Sequence, residues 1–217
     1  MYYSNGDRKL IFHIGNPPAA KAKAPNVVPK ADFFHVMGCS LMASDEFGAE
    51  IVKTAKKFRE AGAKISFDPN IRPELMGGAD NAREILSMTS VFLPGVAELK
   101  MMAGCDTVEE SVAKLFENPV LEIIALKRGS KGCTIYTRDA EPLNFGIYPI
   151  VPVDATGAGD SFDAAFLCGL VDGKDMMDCI RQATAAASLN TAAFGPMEGK
   201  ISPETVAKLI ADNPQVG

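Results

Sequence analysis

The 217-residue sequence predicts an α/β fold, in which a mostly parallel sheet carries helices on both faces. Short β-rich runs at residues 33–37, 64–67 and 90–93 are typical of buried parallel strands. Segments with helical periodicity separate these runs, as the crossover connections of a parallel sheet require. The chain is also long enough for one domain with a substantial core.

The individual elements follow from local signals along the chain. The first 14 residues predict a β-hairpin, because an Asn5-Gly6 pair separates two β-rich runs. Residues 15–31, rich in Pro, Ala and Lys, predict a connection with a short helical piece. Ser44 is the expected N-cap of a helix that ends at Gly62. Further helices are predicted near residues 79–88, 96–103, 107–117, 158–171, 175–193 and 203–212, and further strands at 122–127 and 133–136.

Composition and charge narrow the classes of function. The chain has 22 basic and 27 acidic residues, a net charge of −5 and no basic run, which disfavours a nucleic-acid partner. Its five cysteines lack paired spacing, which indicates reduced thiols and no zinc site. The sequence shows neither a signal-peptide core nor an apolar stretch approaching about 18 residues. We therefore expect a cytoplasmic protein without membrane contact.

The most informative segment is residues 153–162, Val-Asp-Ala-Thr-Gly-Ala-Gly-Asp-Ser-Phe, which leads into an apolar helical stretch. The small residues Gly157, Ala158 and Gly159 leave backbone N–H groups uncovered at the positive end of a helix dipole. That arrangement holds an anion such as a phosphoryl group. Asp160 lies in the same field and can accept a proton from an alcohol. A base beside an anion-binding turn predicts transfer of phosphate to a hydroxyl group.

Taken alone, this segment also fits an ordinary glycine-containing loop with an Asp in the first turn of a helix. A dinucleotide-binding loop is excluded, because Phe162 stands where that fingerprint requires a third glycine. A nucleotide-binding P-loop is excluded as well, because no G-x-x-x-x-G-K-[ST] pattern occurs in the sequence.

With its flanks, the segment resembles the second signature of the PfkB (ribokinase-like) carbohydrate kinases, D-T-x-G-A-G-D-x-F, with Ala155 as the one mismatch. Residues 66–75 resemble the post-strand segment of the 2-keto-3-deoxygluconate kinase branch. Residues 93–98 resemble the family's N-x-x-E segment, and residues 126–132 its nucleotide-binding glycine loop. Residues 195–199 also resemble that branch. The chain is therefore identified as a member of this family, most similar to 2-keto-3-deoxygluconate kinases.

The resemblance implies a ribokinase-like three-layer α/β/α fold that lacks its N-terminal portion. Residues 1–30 are then a remnant of the lid hairpin with its connection, and residues 31–217 are the nucleotide- and sugar-binding core. Three explanations for the missing portion remain open: an incomplete gene prediction, a fragment completed by another chain, or a decayed kinase. The resemblance implies impaired activity when the chain acts alone.

The resemblance also assigns roles to individual residues. Asp160 is the implied general base, and the backbone of Gly157, Ala158 and Gly159 would stabilise the transferring phosphoryl group. Substrate binding is assigned to Asn70 and Arg72 together with Asp160. Nucleotide binding is assigned to Lys127, Gly129, Ser130, Gly132, Gly157, Gly159 and Thr184.

Two kinds of metal ion are implied by the same resemblance. Glu98 would hold Mg²⁺ through water, since this hard cation prefers oxygen ligands and keeps several waters. Gly95 stands where the family has the Asn of its N-x-x-E segment. A monovalent cation such as K⁺ is implied at Asp154, Thr156, Asn190 and Gly195.

The four motifs lie just after predicted strands or at helix starts. Ligands of open α/β sheets bind beyond the carboxyl ends of the strands, so we expect the motifs to form one site. The predicted function is phosphorylation of a sugar or keto-deoxy sugar acid by a homo-oligomeric carbohydrate kinase, with ATP and Mg²⁺. A nucleotide-binding pseudokinase without catalysis is the alternative that the missing portion favours. A nucleoside kinase of the same fold is disfavoured by residues 68–72.

Overall fold

The computed structural model describes residues 2–4, 7–9, 15, 18–71, 79–214 and 216. Residue contacts divide the chain into two compact units, Met1–Thr89 and Ser90–Gly217. The sequence-based division into residues 1–30 and 31–217 stays a prediction.

The first unit begins with the hairpin that the sequence predicts. Strand β1 (Tyr2–Ser4) pairs antiparallel with β2 (Asp7–Lys9). The predicted continuation of the second strand over residues 10–14 lies outside the described residues. The connection that follows contains a short 3-10 helix at Pro18–Lys21, which confirms the predicted helical piece.

Two parallel strands and three helices complete the first unit. Strand β3 (Phe33–Met37) pairs with β4 (Lys64–Asp68), and the buried Val36 stands beside the buried Phe67. Helices α1 (Gly38–Leu41) and α2 (Asp45–Glu60) connect these strands, and α3 (Ala79–Ser87) follows them. Ser44 caps α2, because its Oγ accepts a hydrogen bond from the Phe47 N–H. Only α1 was not predicted, since four residues carry too little periodicity.

The second unit alternates strands and helices before its sheet turns antiparallel. Strand β5 (Thr89–Phe92), which begins at the boundary between the units, runs parallel to β6 (Ile123–Lys127). Helices α4 (Val96–Ala103) and α5 (Val108–Leu115) lie between them in the chain. Strands β7 (Cys133–Thr137) and β8 (Ala140–Phe145) continue from β6 as an antiparallel meander. The unit ends with α6 (Ala158–Val171), α7 (Met176–Thr191) and α8 (Pro203–Asp212).

Each unit contains a pair of parallel strands, β3 with β4 and β5 with β6, among its helices, and the predicted α/β class is confirmed. Strand β8 was not predicted, because Pro142 and polar residues interrupt its alternation. Its largely exposed residues and its proline suit a strand at the edge of a sheet. Among the residues that the structure describes, no helix is both long and apolar enough to cross a membrane.

Helices α6 and α7 pack closely against each other. A Cβ at Gly169 of α6 would lie 2.8 Å from Cys179 Sγ of α7, so glycine permits this approach. Ile180 and Ala183 of α7 are fully buried, as is Phe166 of α6. The later turns of α6 and the first half of α7 are therefore tightly packed.

Candidate active site

The first turn of α6 depends on a glycine at its N-cap. Gly157 has φ +81°, in the left-handed region that favours glycine. A Cβ at this position would lie 2.5 Å from the carbonyl oxygen of Pro196. Both the backbone conformation and the neighbouring chain therefore require glycine at the start of the predicted anion-binding turn.

Two backbone donors remain open in this turn. The N–H of Ala158 donates to the Ala155 carbonyl over 3.3 Å, so this donor is engaged. Within the described part of the chain, the N–H groups of Gly159 and Asp160 have no protein acceptor. The Thr156 carbonyl, which would receive the Asp160 N–H in a longer helix, accepts the side chain of Asn190 instead. Open N–H groups at a helix N-terminus are suited to an anion.

Asp160 is the third residue of α6, and its side chain is exposed. It follows directly after Gly159, whose open N–H belongs to the same turn. A carboxylate at this position is accessible to a substrate hydroxyl, as a general base must be. The catalytic assignment of Asp160 stays a prediction.

The glycine loop after β6 is a tight turn pressed against the end of β8. Its 3-10 helix covers Gly129–Lys131, and the Arg128 N–H donates to the Gly132 carbonyl over 2.8 Å. Gly132 has φ +82°, and a Cβ there would lie 1.9 Å from the Phe145 carbonyl oxygen. No other residue fits at this position without displacing β8.

A cleft of about 310 Å³ lies between this loop, the start of α6 and one face of α7. It brings together seven residues that the sequence assigns to phosphate or nucleotide binding: Lys127, Gly129, Ser130, Gly132, Ala158, Gly159 and Thr184. Gly157, Asp160 and Glu98 are not among the described residues that line it. The Thr184 hydroxyl lies 3.9 Å from Cys133 Sγ, where α7 meets the start of β7.

Most of the apolar lining of the cleft was missed by sequence reasoning. It comes from the irregular segment before α6, from α6 itself and from α7: Ile147, Tyr148, Ile150, Pro152, Ala155, Phe162 and Ala187. A signal was present in the sequence, because the segment is Pro-flanked and apolar. The segment forms no helix or strand, and only tertiary structure shows which way it faces.

Lys127 and Asp163 form an ion pair that the sequence did not reveal. The Nζ of Lys127 lies 3.0 Å from each carboxylate oxygen of Asp163. The Asp163 side chain is 2% exposed and that of Lys127 is 17% exposed. The two residues are 36 positions apart, so no local pattern links them.

Glu98 has a structural partner at the start of α4. Its Oε2 accepts a hydrogen bond from the Gly95 N–H over 2.7 Å, which is the glutamate half of a capping box. Among the described residues, no cluster of three or more His, Cys, Asp or Glu side chains is placed to hold a metal ion. The assignment of Glu98 to Mg²⁺ stays a prediction.

The four residues assigned to a monovalent cation do meet in space. Asp154 is buried, and its carboxylate accepts the Thr156 N–H and hydroxyl and the Gly195 N–H. Asn190 is fully buried, and its Nδ2 donates to the Thr156 carbonyl over 2.7 Å. Within the described part of the chain, the Oδ1 of Asn190 has no hydrogen-bond partner. An orphaned buried acceptor fits a cation, because a cation satisfies it without a donor.

The proposed substrate residues belong to the first unit. Asn70 has φ +38°, and its N–H donates to Asp68 Oδ1 over 3.1 Å, just after β4. Its Nδ2 lies 3.0 Å from Met37 Sδ, at the end of β3. A Cβ at Gly38 would lie 1.9 Å from the Pro69 carbonyl oxygen, so the ends of β3 and β4 are in close contact. Arg72 lies outside the described residues.

The fold and the glycine-lined cleft define a class of protein, the pfkB family carbohydrate kinases. The model of that family matches residues 2–203, and the chain belongs to this family. The ribokinase-like fold and the predicted recognition of the family are thereby confirmed.

Individual proteins of this family are similar to the chain over most of its length. Fructokinase-1 of Zea mays is 29% identical over 226 residues, covering 95% of this chain and 68% of the relative. The 2-dehydro-3-deoxygluconokinase of Bacillus subtilis is 28% identical over 214 residues, covering 95% of this chain and 66% of the relative. A structure of a candidate ribokinase II from E. coli in complex with ATP and Mg²⁺ is 31% identical, with a TM-score of 0.84. The match covers 95% of this chain and 68% of the chain in that structure. The chain spans 68% of the length of the probable fructokinase-4 of Arabidopsis thaliana and 54% of that of the fructokinase of Solanum tuberosum.

Proposed function

We propose that this protein transfers the γ-phosphoryl group of ATP to a hydroxyl group of a sugar or keto-deoxy sugar acid. One observation carries the proposal: the start of α6 presents the open N–H groups of Gly159 and Asp160 beside a cleft, with the Asp160 carboxylate exposed in the same turn. An anion-binding turn and a base one residue apart are what phosphoryl transfer to an alcohol requires.

In the proposed reaction, Asp160 accepts the proton of the substrate hydroxyl. The hydroxyl oxygen forms a bond to the γ-phosphorus while the bond from that phosphorus to the bridging β-oxygen breaks, and ADP leaves. The open N–H groups at the start of α6, together with the helix dipole, stabilise the charge on the transferring group. Gly157 holds this turn in place through its left-handed conformation.

The nucleotide is proposed to occupy the cleft of about 310 Å³, a size within the usual range for ligand sites. Gly129, where an added Cβ would meet no described atom within 4 Å, lets the ligand approach the backbone closely, and Gly132 keeps the loop against β8. The apolar residues before α6, among them Ile150 and Pro152, suit the base and ribose faces of a nucleotide. Thr184 offers a hydroxyl at the inner wall.

Both metal ions of the resemblance belong to this proposal. Mg²⁺ neutralises phosphate charge in phosphoryl transfer, and Glu98 is proposed to contact it through water. Asp154, Thr156, Asn190 and Gly195 are proposed to hold K⁺ beside the turn that leads into α6. The unpartnered Oδ1 of buried Asn190 supports this second assignment.

A keto-deoxy sugar acid is the proposed substrate, with Asn70 and Arg72 as its contacts. The segment after β4 supports it, because its residues 66–75 resemble the 2-keto-3-deoxygluconate kinase branch. A guanidinium such as that of Arg72 suits a carboxylate by a two-point contact. The expectations of a homo-oligomer and of a cytoplasmic location stay predictions.

A nucleotide-binding protein without catalysis is the alternative function. It is favoured by one observation: among the described residues, Asp160 does not line the cleft that the nucleotide is proposed to occupy. The two functions separate in an assay of ADP formation with ATP, Mg²⁺ and, in turn, 2-keto-3-deoxygluconate, fructose and ribose. Sugar-dependent ADP formation that is lost in Asp160→Asn supports the kinase. Tight ATP binding with no ADP formation on any of these sugars supports the alternative.

A further inference from the structure

We propose that Asp163 is a positioning residue, which holds the Lys127 ammonium against the first turn of α6 so that it contacts the polyphosphate of a bound nucleotide. The inference rests on the proposed nucleotide site, and it gives a role to an ion pair that the proposed reaction does not use.

The backbone of Lys127 is fixed at the carboxyl end of β6. Its N–H donates to the Pro94 carbonyl over 2.8 Å, and it forms a parallel bridge with Gly95. From this anchored position the side chain reaches the start of α6. A Cβ at Gly159 would lie 3.6 Å from Lys127 Nζ, so the ammonium stands close to the α-carbon of Gly159, in the turn whose N–H groups are open.

Asp163 fixes the other end of the lysine side chain. It lies four residues after Gly159 in α6, on the same face of the helix. Both of its carboxylate oxygens lie 3.0 Å from Nζ. With 2% of its side chain exposed, Asp163 cannot exchange the ammonium for water without a large cost, so the pair persists when a ligand enters.

Stability alone does not account for this pair. Buried ion pairs are often no more stabilising than apolar residues of similar volume, because both charges lose their hydration. The pair also stands at a helix N-terminus, where the dipole disfavours a cation. An ammonium kept here against both effects is explained by a ligand that carries negative charge.

The position of Lys127 in the cleft completes the argument. Among the described residues that line the cleft, Lys127 is the one charged side chain. It is 17% exposed, enough for a ligand to reach the ammonium while Asp163 retains it. The open N–H groups of α6 and this ammonium therefore make one positive surface for phosphate groups.

The test compares the binding of ATP, tripolyphosphate and adenosine by calorimetry in the wild-type chain, Lys127→Met and Asp163→Asn. We expect Lys127→Met to bind ATP and tripolyphosphate about tenfold more weakly, as for loss of a charge-assisted contact, with adenosine binding unchanged. We expect Asp163→Asn to weaken both phosphate ligands at least about threefold, since the ammonium is no longer held. The double variant Lys127→Met/Asp163→Asn should bind ATP and tripolyphosphate no more weakly than Lys127→Met does, because the two residues act as one unit.

The direction of the Asp163→Asn effect separates position from charge. Removal of a negative charge near phosphate would by itself tighten binding, so weaker binding reports a displaced ammonium. Unchanged or tighter binding in Asp163→Asn overturns the inference, as does unchanged binding in Lys127→Met. The exposed pair of α8, Lys208 and Asp212, offers matched controls: Lys208→Met and Asp212→Asn make the same charge changes away from the cleft.

If Asp163→Asn fails to fold, a second variant still tests the inference. The variant Lys127→Met/Asp163→Leu replaces the pair by apolar side chains and is expected to fold. Wild-type affinity of this variant for tripolyphosphate would overturn the inference. Failure of the proposed function is a different result, namely phosphate-dependent ATP binding through Lys127 with no phosphorylation of any sugar. A wild-type chain that binds neither ATP nor tripolyphosphate overturns both.

Discussion

The α-carbon of Gly157 faces the backbone of Pro196 so closely that a Cβ would lie 2.5 Å from the Pro196 carbonyl oxygen. Two residues, 39 positions apart by their numbers in the sequence, thus fix the turn that begins α6. The same turn contains a second glycine, Gly159, where an added Cβ would meet only Lys127 Nζ at 3.6 Å. The two glycines have different reasons for being there.

Substitution of these two glycines should therefore affect different properties: stability at Gly157 and ATP binding at Gly159. Gly157→Ala should destabilise the fold by about 1–3 kcal/mol, since it combines a left-handed backbone with a steric clash. Gly159→Ala should have the free energy of unfolding of the wild type. It should bind ATP several-fold more weakly, because its methyl group stands between the Lys127 ammonium and the ligand. Urea unfolding and calorimetry measure the two effects. Wild-type stability in Gly157→Ala would contradict the first expectation, and wild-type ATP affinity in Gly159→Ala the second.

Substitution of Asp160 tests the proposed base. In a protein that shows sugar-dependent ADP formation, Asp160→Asn should lower kcat at least about a hundredfold, within the usual range for general-base catalysis. ATP affinity should change little, because the partner of the base is the sugar hydroxyl. The matched control is Asp172→Asn, which removes the same charge from the exposed far end of α6. Full turnover in Asp160→Asn would remove the central assignment.

Potassium should stabilise the protein if Asn190 Oδ1 faces a bound cation. At constant ionic strength, replacement of N-methylglucamine by K⁺ should raise the Tm of the wild-type chain, since a ligand that binds only the folded state shifts the equilibrium towards it. Asn190→Leu should lower the Tm and also abolish the K⁺-dependent increment. An equal K⁺ increment in Asn190→Leu and wild type would contradict the assignment.

The pH dependence of the first unit should centre on Glu50 of α2. Its carboxylate accepts the Ala24 N–H over 2.9 Å and pairs with Lys53, and these contacts lower its pKa from 4.5 to about 2. Because the pKa is lowered on folding, the attachment of the Ala24 segment to α2 is complete above pH 4.5 and is lost as pH falls towards 2.

An NMR titration of the Ala24 amide measures this transition. The amide resonance should follow a group with a pKa of about 2, and Glu50→Gln should abolish the titration. Glu46→Gln, a neutralised and exposed carboxylate on the same helix, is the control and should leave the curve unchanged. A midpoint near 4.5 would show that the contacts to Glu50 do not form in solution.

Much of the fold was predictable because its signals are local. The N-cap at Ser44, the start of α6 after Gly157 and the bounds of α4 and α8 depend on caps, periodicity and glycines within a few residues of one another. Strand β8 escaped because its exposed edge position removes the alternation that would reveal a strand. The glycine loop at residues 126–132 and the motif at residues 153–162 were likewise recognisable, since each is short and contiguous in the sequence.

The sequence by itself determined the α/β class, the family and the residues of the predicted anion-binding turn. Tertiary structure alone decided that Asp163 holds Lys127, that Pro196 requires Gly157, and that Asn190 reaches the Thr156 carbonyl. The physical reason is distance along the chain. Caps and periodicity act within one or two turns, whereas these contacts join residues more than 30 positions apart, and only the packing of the folded chain brings them together.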